Sequence, residues 1–200
     1  MKIIDQSWQW VKRPELPLEI IEAAGRTCYK SEDKITDDSA QKFVKMILKR
    51  GHESVIEHAS ASVRFITNRG VTHELVRHRL CAFSQESTRY VDYQDEMEFI
   101  RPVWAVDGNI AFNEFLTSCR MAEKQYQFLR NLGWRPEQAR EVLPNALKTE
   151  IVVTANLREW RHIFRLRTSN AAHPQIRALM RSCLAGFQEA VPVLFDDINI

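Results

Sequence analysis

Several stretches of the chain repeat hydrophobic residues with the period of an α-helix. The first predicted helix begins at Pro17 and ends near Gly25. The second follows Asp38 and carries an apolar stripe, and it ends at Gly51 because glycine is favoured in the left-handed position after a helix. Further helices are predicted over 110–132, from 136 to the proline at 144, over 157–166 and over 174–187.

Strands are predicted where apolar and polar residues alternate or where a short apolar run is bounded by turn residues. Residues 61–66 alternate in this way, and the Asn-Arg-Gly sequence at 68–70 ends the strand. Two more strands are predicted, at 98–100 and at 151–154. The polar segment 83–91 has no clean period, so no strand is predicted there.

Helices exceed strands in this pattern, and the few strands do not alternate regularly with helices. A short helix with Thr72 as its cap is expected directly after the first strand. We therefore predict one α+β domain over residues 1–200, with helices around a small, mostly antiparallel sheet.

The composition is that of a globular protein and excludes several functional classes. Hydrophobic residues make up 44% of the chain and charged residues 27%, which excludes a disordered protein. A net charge of +2 gives no electrostatic case for binding nucleic acid or a membrane surface. No apolar run approaches ~18 residues, so no membrane span is expected, and the N-terminus has no signal-peptide core. Four widely spaced cysteines are typical of a cytoplasmic protein with reduced thiols.

Arginine is strongly preferred to lysine in the later part of the chain. The basic residues comprise 19 arginines and 9 lysines, and only Lys124 and Lys148 follow Arg50. Arginine recognises phosphate and carboxylate groups with two parallel donors and stacks on rings. The preference predicts anionic ligands, with a lineage-wide bias towards arginine as the alternative.

The densest polar stretch is RHRLCAFSQESTRY at residues 77–90. Three arginines, one histidine and several hydroxyl groups within this stretch cannot form a core, and no glycine or proline marks it as an ordinary loop. It indicates a site for a polyanionic or highly functionalised ligand. A structural hydrogen-bond network that links helix to strand is the alternative interpretation.

A second polar cluster, NLREWRHIFRLR at 156–167, coincides with a predicted helix. Arg158, His162 and Arg165 have the spacing i, i+4, i+7 and therefore share one face. At ~100° per residue, Arg167 projects into the apolar arc on the other side. A charge directed there needs a partner, either a ligand phosphate or an Asp or Glu of the chain.

A third stretch, GHESVIEH at 51–58, combines two histidines with two glutamates. Its order differs from the HExxH pattern of zinc sites and no third ligand is apparent, so no metal is predicted, and contacts with a small ligand or helix capping are favoured. The chain has neither a GxGxxG nor a P-loop motif, which excludes Rossmann-type and P-loop binding of a dinucleotide. No cysteine lies beside a histidine in a recognisable nucleophile context.

The sequence RHR, followed after seven residues by Ser87, resembles the signature of the flavin-dependent thymidylate synthases (the ThyX family). The segments GHESVIEH, AREVLP and NLREWRHIFRLR are similar to further segments of that family and occur in the same order. The resemblance spans residues 51–167. It implies the fold of that family and the reductive methylation of dUMP to dTMP.

The resemblance also implies the cofactor and the other substrates. Methylenetetrahydrofolate supplies the carbon, NADPH reduces FAD, and the reduced flavin delivers the hydride, with tetrahydrofolate as product and without an enzyme cysteine as nucleophile. The family binds FAD between the subunits of a homotetramer. We therefore expect a cytoplasmic homotetramer with shared active sites, which binds neither nucleic acid nor membrane.

The resemblance assigns residues to each ligand by their positions in the motifs. The residues expected at FAD are His52, Ser54, Glu57, Arg77, His78, Arg79, Asn156, Arg158 and His162. The residues expected at dUMP are Glu74, Arg77, Glu86, Ser87, Thr88, Arg89, Arg140 and Arg167. Arg167 is also the expected catalytic residue, because a guanidinium at the carbonyl edge of the pyrimidine favours its polarised form. Two positions depart from the family pattern: Glu74 stands where Gln is frequent, and Ala171 where His is common.

An arginine-rich module that binds nucleic acid without catalysis is the alternative function. The near-zero net charge and the lack of aromatic residues interleaved with the arginines disfavour it. An inactive or repurposed member of the resembled family is a second alternative.

Overall fold

The computed structural model describes residues 1–198, and within this range it has six strands and eight helices. The strands are β1 Lys2–Ile4, β2 Ser7–Lys12, β3 Ser60–Asn68, β4 Ala82–Gln85, β5 Glu98–Ile100 and β6 Lys148–Asn156. The helices are α1 Pro17–Tyr29, α2 Ser39–Arg50, α3 Arg69–Leu75, α4 Ile110–Asn131, α5 Pro136–Ala139, α6 Leu157–Arg167, α7 Pro174–Ala190 and α8 Pro192–Phe195. Short 3-10 turns occupy Glu32–Lys34, Glu53–His58 and Arg140–Val142. None of the described helices is both long and apolar enough to cross a membrane.

Four strands form one sheet in the order β2–β3–β6–β4, and β1 and β5 form a separate pair. Two contacts show that strands β3 and β6 run antiparallel. The hydroxyl oxygens of Ser62 and Thr154 are 2.7 Å apart, and the backbone N–H of Leu157 donates to the carbonyl oxygen of Ala59. The residue numbers therefore rise along one strand as they fall along the other. The α+β class with a small antiparallel sheet is thus confirmed. The parallel pairing of β1 with β5 is an addition that the sequence pattern did not predict.

The described chain divides into two compact units. The first contains 1–8, 64–77 and 83–152, and the second contains 9–63, 78–82 and the described part of 153–200. Strands β2, β3, β4 and β6 contribute residues to both units. A single domain over residues 1–200 stays a prediction.

The first unit has its core around the inner face of α4. Cys119 and Tyr126 of this helix are buried, together with Met97 and other apolar residues. Glu123, one turn before Tyr126, is also buried, but its carboxylate accepts a hydrogen bond from the backbone N–H of Met97 at 2.8 Å and lies 3.1 Å from the terminal ammonium of Met1. These partners offset the cost of burying the charge.

The second unit packs α6 and α7 together through aromatic side chains. The Phe187 ring lies 5.0 Å from the rings of Trp160 and Phe164 and 5.1 Å from that of Phe195, measured between centroids. The buried indole N–H of Trp160 donates to the carbonyl oxygen of Ala61 at 3.1 Å. This core fixes α6, the helix of the second polar cluster, against the sheet strand β3.

Helix α1 continues past its predicted end at Gly25 to Tyr29. A Cβ added to Gly25 would lie 2.5 Å from the Phe43 ring, so glycine is needed here for the close packing of α1 on α2. The predicted end was therefore wrong, because this glycine serves packing rather than helix termination. By contrast, α2 ends at Gly51 with φ of 68°, as predicted.

The start of α3 also differs from the prediction. Thr72 lies inside this helix, and the cap is Asn68, whose side chain accepts a hydrogen bond from the N–H of Val71 at 2.9 Å. Asn68 was the better candidate because it stands immediately before the first helical residue. Strands β1, β2 and β4 were not predicted; β4 occupies part of the polar segment in which we found no clean period.

Candidate active site

A cavity of about 410 Å³ lies in the second unit beside α1 and α2. Gly51 ends α2 and directs the chain into the turn Glu53–His58, and this path brings His52 and Ser54 to the cavity. The wall combines apolar and polar groups, as small-molecule sites commonly do. The lining residues are Gly25, Cys28, Tyr29, Phe43, Met46, Ile47, Arg50, Gly51, His52, Glu53, Ser54, Val55 and Arg158.

Arg158 reaches the cavity from the first turn of α6 and is held by two carboxylates. Its Nη1 donates to Oε1 of Glu57 at 2.5 Å, and its Nε lies 3.9 Å from Oε2 of Glu53. Arg158 remains half exposed, so its charge is accessible to a ligand. The structure thus brings together four of the residues predicted for FAD: His52, Ser54, Glu57 and Arg158.

Arg161 is the fully buried arginine of α6, with its side chain 1% exposed. It donates two hydrogen bonds of 2.7 Å to the carboxylate of Asp197 and one to the carbonyl oxygen of Leu194, and it lies 3.7 Å from Glu53. Arg161 was not among the residues predicted from the sequence. The signal was present, because Arg161 occupies the i+4 position of an apolar stripe that starts at Leu157.

His78 and Arg167 form the second group of predicted site residues in this unit. The Nε of Arg167 donates to Nε2 of His78 at 3.0 Å, so the half-buried guanidinium contacts a histidine, a partner that was not among the two expected kinds, a ligand phosphate or an Asp or Glu of the chain. Burial lowers the pKa of His78 to about 4, and the charge of Arg167 and then His162 contribute further. The ring is therefore neutral near pH 7, which leaves a ring nitrogen able to accept the hydrogen bond.

Glu159 lies on the other side of the His78 ring. Its Oε1 is 3.5 Å from Nδ1 of His78, and burial raises the pKa of its carboxyl group above the ordinary value, whereas His162 lowers it. Because His78 is neutral, this contact joins a carboxyl group to a neutral ring and is not an ion pair.

One atom each of His78, Glu159 and His162 lie within 4.8 Å of one another, a spacing that a cation could bridge. The guanidinium of Arg167 already donates to Nε2 of His78, and its positive charge repels a metal ion from this place. The arrangement fits a hydrogen-bonded cluster around Arg167 better than a metal site.

In the first unit, Glu86 of the RHR signature region is held by two donors. The Tyr93 hydroxyl donates to one carboxylate oxygen at 2.5 Å and the Lys148 ammonium to the other at 3.2 Å. Burial and then the hydrogen bond to Glu86 raise the pKa of the Tyr93 phenol, so it stays a donor. Neither donor was predicted from the sequence, although Lys148 is one of only two lysines after Arg50.

The residues that follow Glu86 form a tight turn. The hydroxyl oxygen of Ser87 accepts the N–H of Arg89 at 3.2 Å, and the buried Thr88 hydroxyl accepts a hydrogen bond from Nη1 of Arg140 at 3.4 Å. Arg89 lies 3.5 Å from Glu137 and is more than half exposed. The structure thus brings Thr88 and Arg140, which are predicted for the same ligand, into contact.

The remaining predicted residues have simpler surroundings. Arg77 and Arg79 are exposed and Glu74 is half buried. The side chain of Asn156 caps α6 by accepting the N–H of Glu159 at 2.8 Å, and His162 is exposed on the same helix. With the exception of Arg77, all residues predicted for FAD lie in the second unit; with the exception of Arg167, all those predicted for dUMP lie in the first.

Comparison with known proteins gives one consistent result. The family model described as thymidylate synthase complementing protein matches residues 11–193. The flavin-dependent thymidylate synthase of Mycolicibacterium vanbaalenii is 40% identical over 90% of this chain and 79% of its own length. That of Corynebacterium efficiens is 37% identical over the same shares.

A solved structure has the same fold. The UMP/dUMP methylase PolB from Streptomyces cacaoi, in a crystal structure with bound 5-Br dUMP, superposes with a TM-score of 0.83. It covers 98% of this chain and 96% of its own, with 22% sequence identity, and this likeness concerns the fold alone. The family model and the identity to curated relatives confirm the family that the motifs indicated: the chain belongs to the flavin-dependent thymidylate synthases.

Proposed function

We propose that the chain methylates dUMP to dTMP, with methylenetetrahydrofolate as carbon donor and with FAD, reduced by NADPH, as the source of the hydride. Membership of the family supports the reaction. The observation that supports this chain's own capacity for it is the cavity lined by His52, Ser54 and Arg158. The thymidylate synthases among its relatives support a pyrimidine nucleotide as substrate.

The residues around the cavity fit one part of FAD. Tyr29, Phe43 and Ile47 offer an apolar wall for a flat ring, and the accessible charge of Arg158 suits a phosphate. A cavity of about 410 Å³ is small for two ring systems joined by a pyrophosphate. This supports a homotetramer in which another copy of the chain completes each FAD site.

Several side chains of the chain would bind and orient the substrate. Thr88, Arg89 and Arg140 combine a hydroxyl group with two cations, a set that suits the phosphate of dUMP. Arg167 would meet the carbonyl edge of the pyrimidine and stabilise the negative charge that develops there. Bound FAD, once reduced, supplies the hydride.

No cysteine acts as nucleophile in this proposal. Burial and then the charge of Glu159 raise the pKa of the Cys81 thiol to about 12, and burial raises that of Cys119 to about 11. Burial also raises the pKa of Cys183. Because the thiolate is the nucleophilic form, these three thiols are poor nucleophiles near neutral pH.

The visible absorbance spectrum of the purified protein tests the proposal. We expect a yellow protein that loses its flavin absorbance with NADPH and whose flavin fluorescence responds to dUMP. Arg158→Gln removes a charge-assisted contact of about 1.5–3 kcal/mol, so FAD affinity falls by roughly ten- to hundredfold. The exposed Arg120 on α4 is the matched control, and Arg120→Gln leaves FAD affinity unchanged. A colourless protein with salt-dependent binding of oligonucleotides would contradict the proposal in favour of the nucleic-acid-binding alternative.

Light scattering tests the shared-site arrangement. We expect about four chain masses for the FAD-loaded protein. A monomer that still binds FAD tightly would contradict the tetramer. It would not contradict the proposed reaction, which the absorbance spectrum tests separately.

A further inference from the structure

We propose that Glu159 is a positioning residue for Arg167 and acts on it through the ring of His78. The inference rests on the proposed function, because it concerns how the guanidinium of Arg167 is oriented towards the nucleotide. Glu159 belongs to none of the positions that the family motifs assign to FAD or dUMP.

The three side chains form a chain of contacts at one side of α6. Glu159 lies in the first turn of this helix and Arg167 at its end, and His78, which follows α3, lies between their side chains. Nε of Arg167 donates to Nε2 of His78 at 3.0 Å, and Nδ1 of His78 lies 3.5 Å from Oε1 of Glu159.

This geometry determines the tautomer of His78. A ring nitrogen that accepts a hydrogen bond holds no proton, so the proton of the neutral ring is on Nδ1. The carboxyl oxygen of Glu159 faces that proton and favours it there. If the proton moved to Nε2, two N–H groups would face each other and the Nε–H of Arg167 would lose this hydrogen bond.

The surroundings allow few alternatives to this arrangement. The side chains of His78 and Glu159 are only 4% and 8% exposed, so neither can exchange its partner readily for water. The other titratable groups near this pair are His162, whose ring centroid is 5.6 Å from that of His78, and Cys81, a protonated thiol near neutral pH. The N-cap bond from Glu159 to Asn156 fixes the first turn of α6 and with it the position of Glu159.

The hydrogen bond to His78 orients the plane of the Arg167 guanidinium. Since the group is rigid and planar, a hydrogen bond at Nε fixes the direction of the edge formed by the two Nη atoms. This edge is the one that matches a planar acceptor such as the carbonyl edge of a pyrimidine. Glu159 therefore tunes nucleotide binding without touching the nucleotide.

A double-mutant cycle on the FAD-loaded protein tests the inference. We expect Glu159→Gln to weaken dUMP binding by about three- to tenfold in a flavin-fluorescence titration and to lower kcat more than it raises the KM for methylenetetrahydrofolate. FAD affinity and melting temperature stay equal to those of the control Glu189→Gln, an exposed glutamate of α7. In an Arg167→Lys background, Glu159→Gln changes dUMP affinity by less than twofold, because the residue through which it acts is already altered.

Each other outcome is informative. Equal losses in both backgrounds, or no loss in the wild-type background while wild type binds dUMP, overturn the inference and leave the proposed function intact. A wild-type protein that binds no dUMP overturns the proposed function and the inference with it. If Glu159→Gln does not fold, ¹⁵N NMR of the histidine rings in the wild-type protein decides: a proton on Nδ1 of His78 supports the inference, and one on Nε2 overturns it.

Discussion

Asp197→Asn is expected to destabilise the second unit, because this carboxylate neutralises the buried Arg161. Asp197 receives two hydrogen bonds of 2.7 Å from Arg161 and one of 3.2 Å from Arg165. Removing one partner of a buried ion pair costs about 3–5 kcal/mol. The cost is smaller here, because Asp197 is half exposed and Glu53 lies 3.7 Å from Arg161 as a second carboxylate.

The expected loss of unfolding free energy in Asp197→Asn is therefore that of its charge-assisted hydrogen bonds, about 1.5–3 kcal/mol. For a chain of this length that corresponds to a fall in melting temperature of roughly 3–12 °C. Thermal denaturation followed by tryptophan fluorescence measures it. Asp196→Asn, at the exposed neighbouring position, is the matched control and is expected to melt as wild type does.

The pH dependence gives a second readout. The hydrogen bond from Arg161 holds the pKa of Asp197 below its ordinary value of 3.8. A lowered pKa in the folded state means that the stabilisation is complete above 3.8 and is lost as the pH falls towards the folded-state pKa. The difference in melting temperature between wild type and Asp197→Asn therefore shrinks in acid. Equal melting temperatures for the Asp197 and Asp196 variants at pH 7 would refute the reasoning.

Three further predictions follow from single contacts. Gly25→Ala places a methyl group 2.5 Å from the Phe43 ring and is expected to lower the free energy of unfolding, by about 1–3 kcal/mol. Urea denaturation measures this as a lower midpoint, and an unchanged midpoint would contradict the packing role. Cys81→Ser leaves dTMP formation largely intact, since this thiol has a pKa of about 12, and lost turnover in a folded, yellow variant would indicate a thiol nucleophile. Arg140→Lys weakens dUMP binding roughly tenfold or more and leaves FAD binding unchanged, because an ammonium group lacks the rigid, planar set of donors with which a guanidinium binds Thr88 and a phosphate together. An unchanged dissociation constant for dUMP would remove Arg140 from the site.

The sequence predicts well those elements whose signals are local. The apolar stripe of α2 and the glycine after it define that helix, and the alternation in β3 defines a strand with one buried face. The family motifs likewise indicate His52, Ser54 and Arg158, which the structure gathers at one cavity.

Features that depend on distant partners were not predictable in this way. Gly25 has the local appearance of a helix end, but its role is set by Phe43 on another helix. Strand β1 is three residues long and becomes a strand by pairing with β5, which is far away in sequence. Arg161 interrupts an apolar stripe, and only the folded chain shows that Asp197 compensates its charge.

The central claim is the reaction itself, and the direct measurement is chromatography of the nucleotide and folate products. The protein is incubated with dUMP, methylenetetrahydrofolate, NADPH and FAD, with omission of each component in turn as control. We expect dTMP to form together with an equal amount of tetrahydrofolate, and only when dUMP, methylenetetrahydrofolate and NADPH are all present. Omission of added FAD is expected to abolish the reaction only in protein from which the bound flavin has been removed. The absence of dTMP from a folded, FAD-loaded protein, or dihydrofolate as the folate product, would contradict the account.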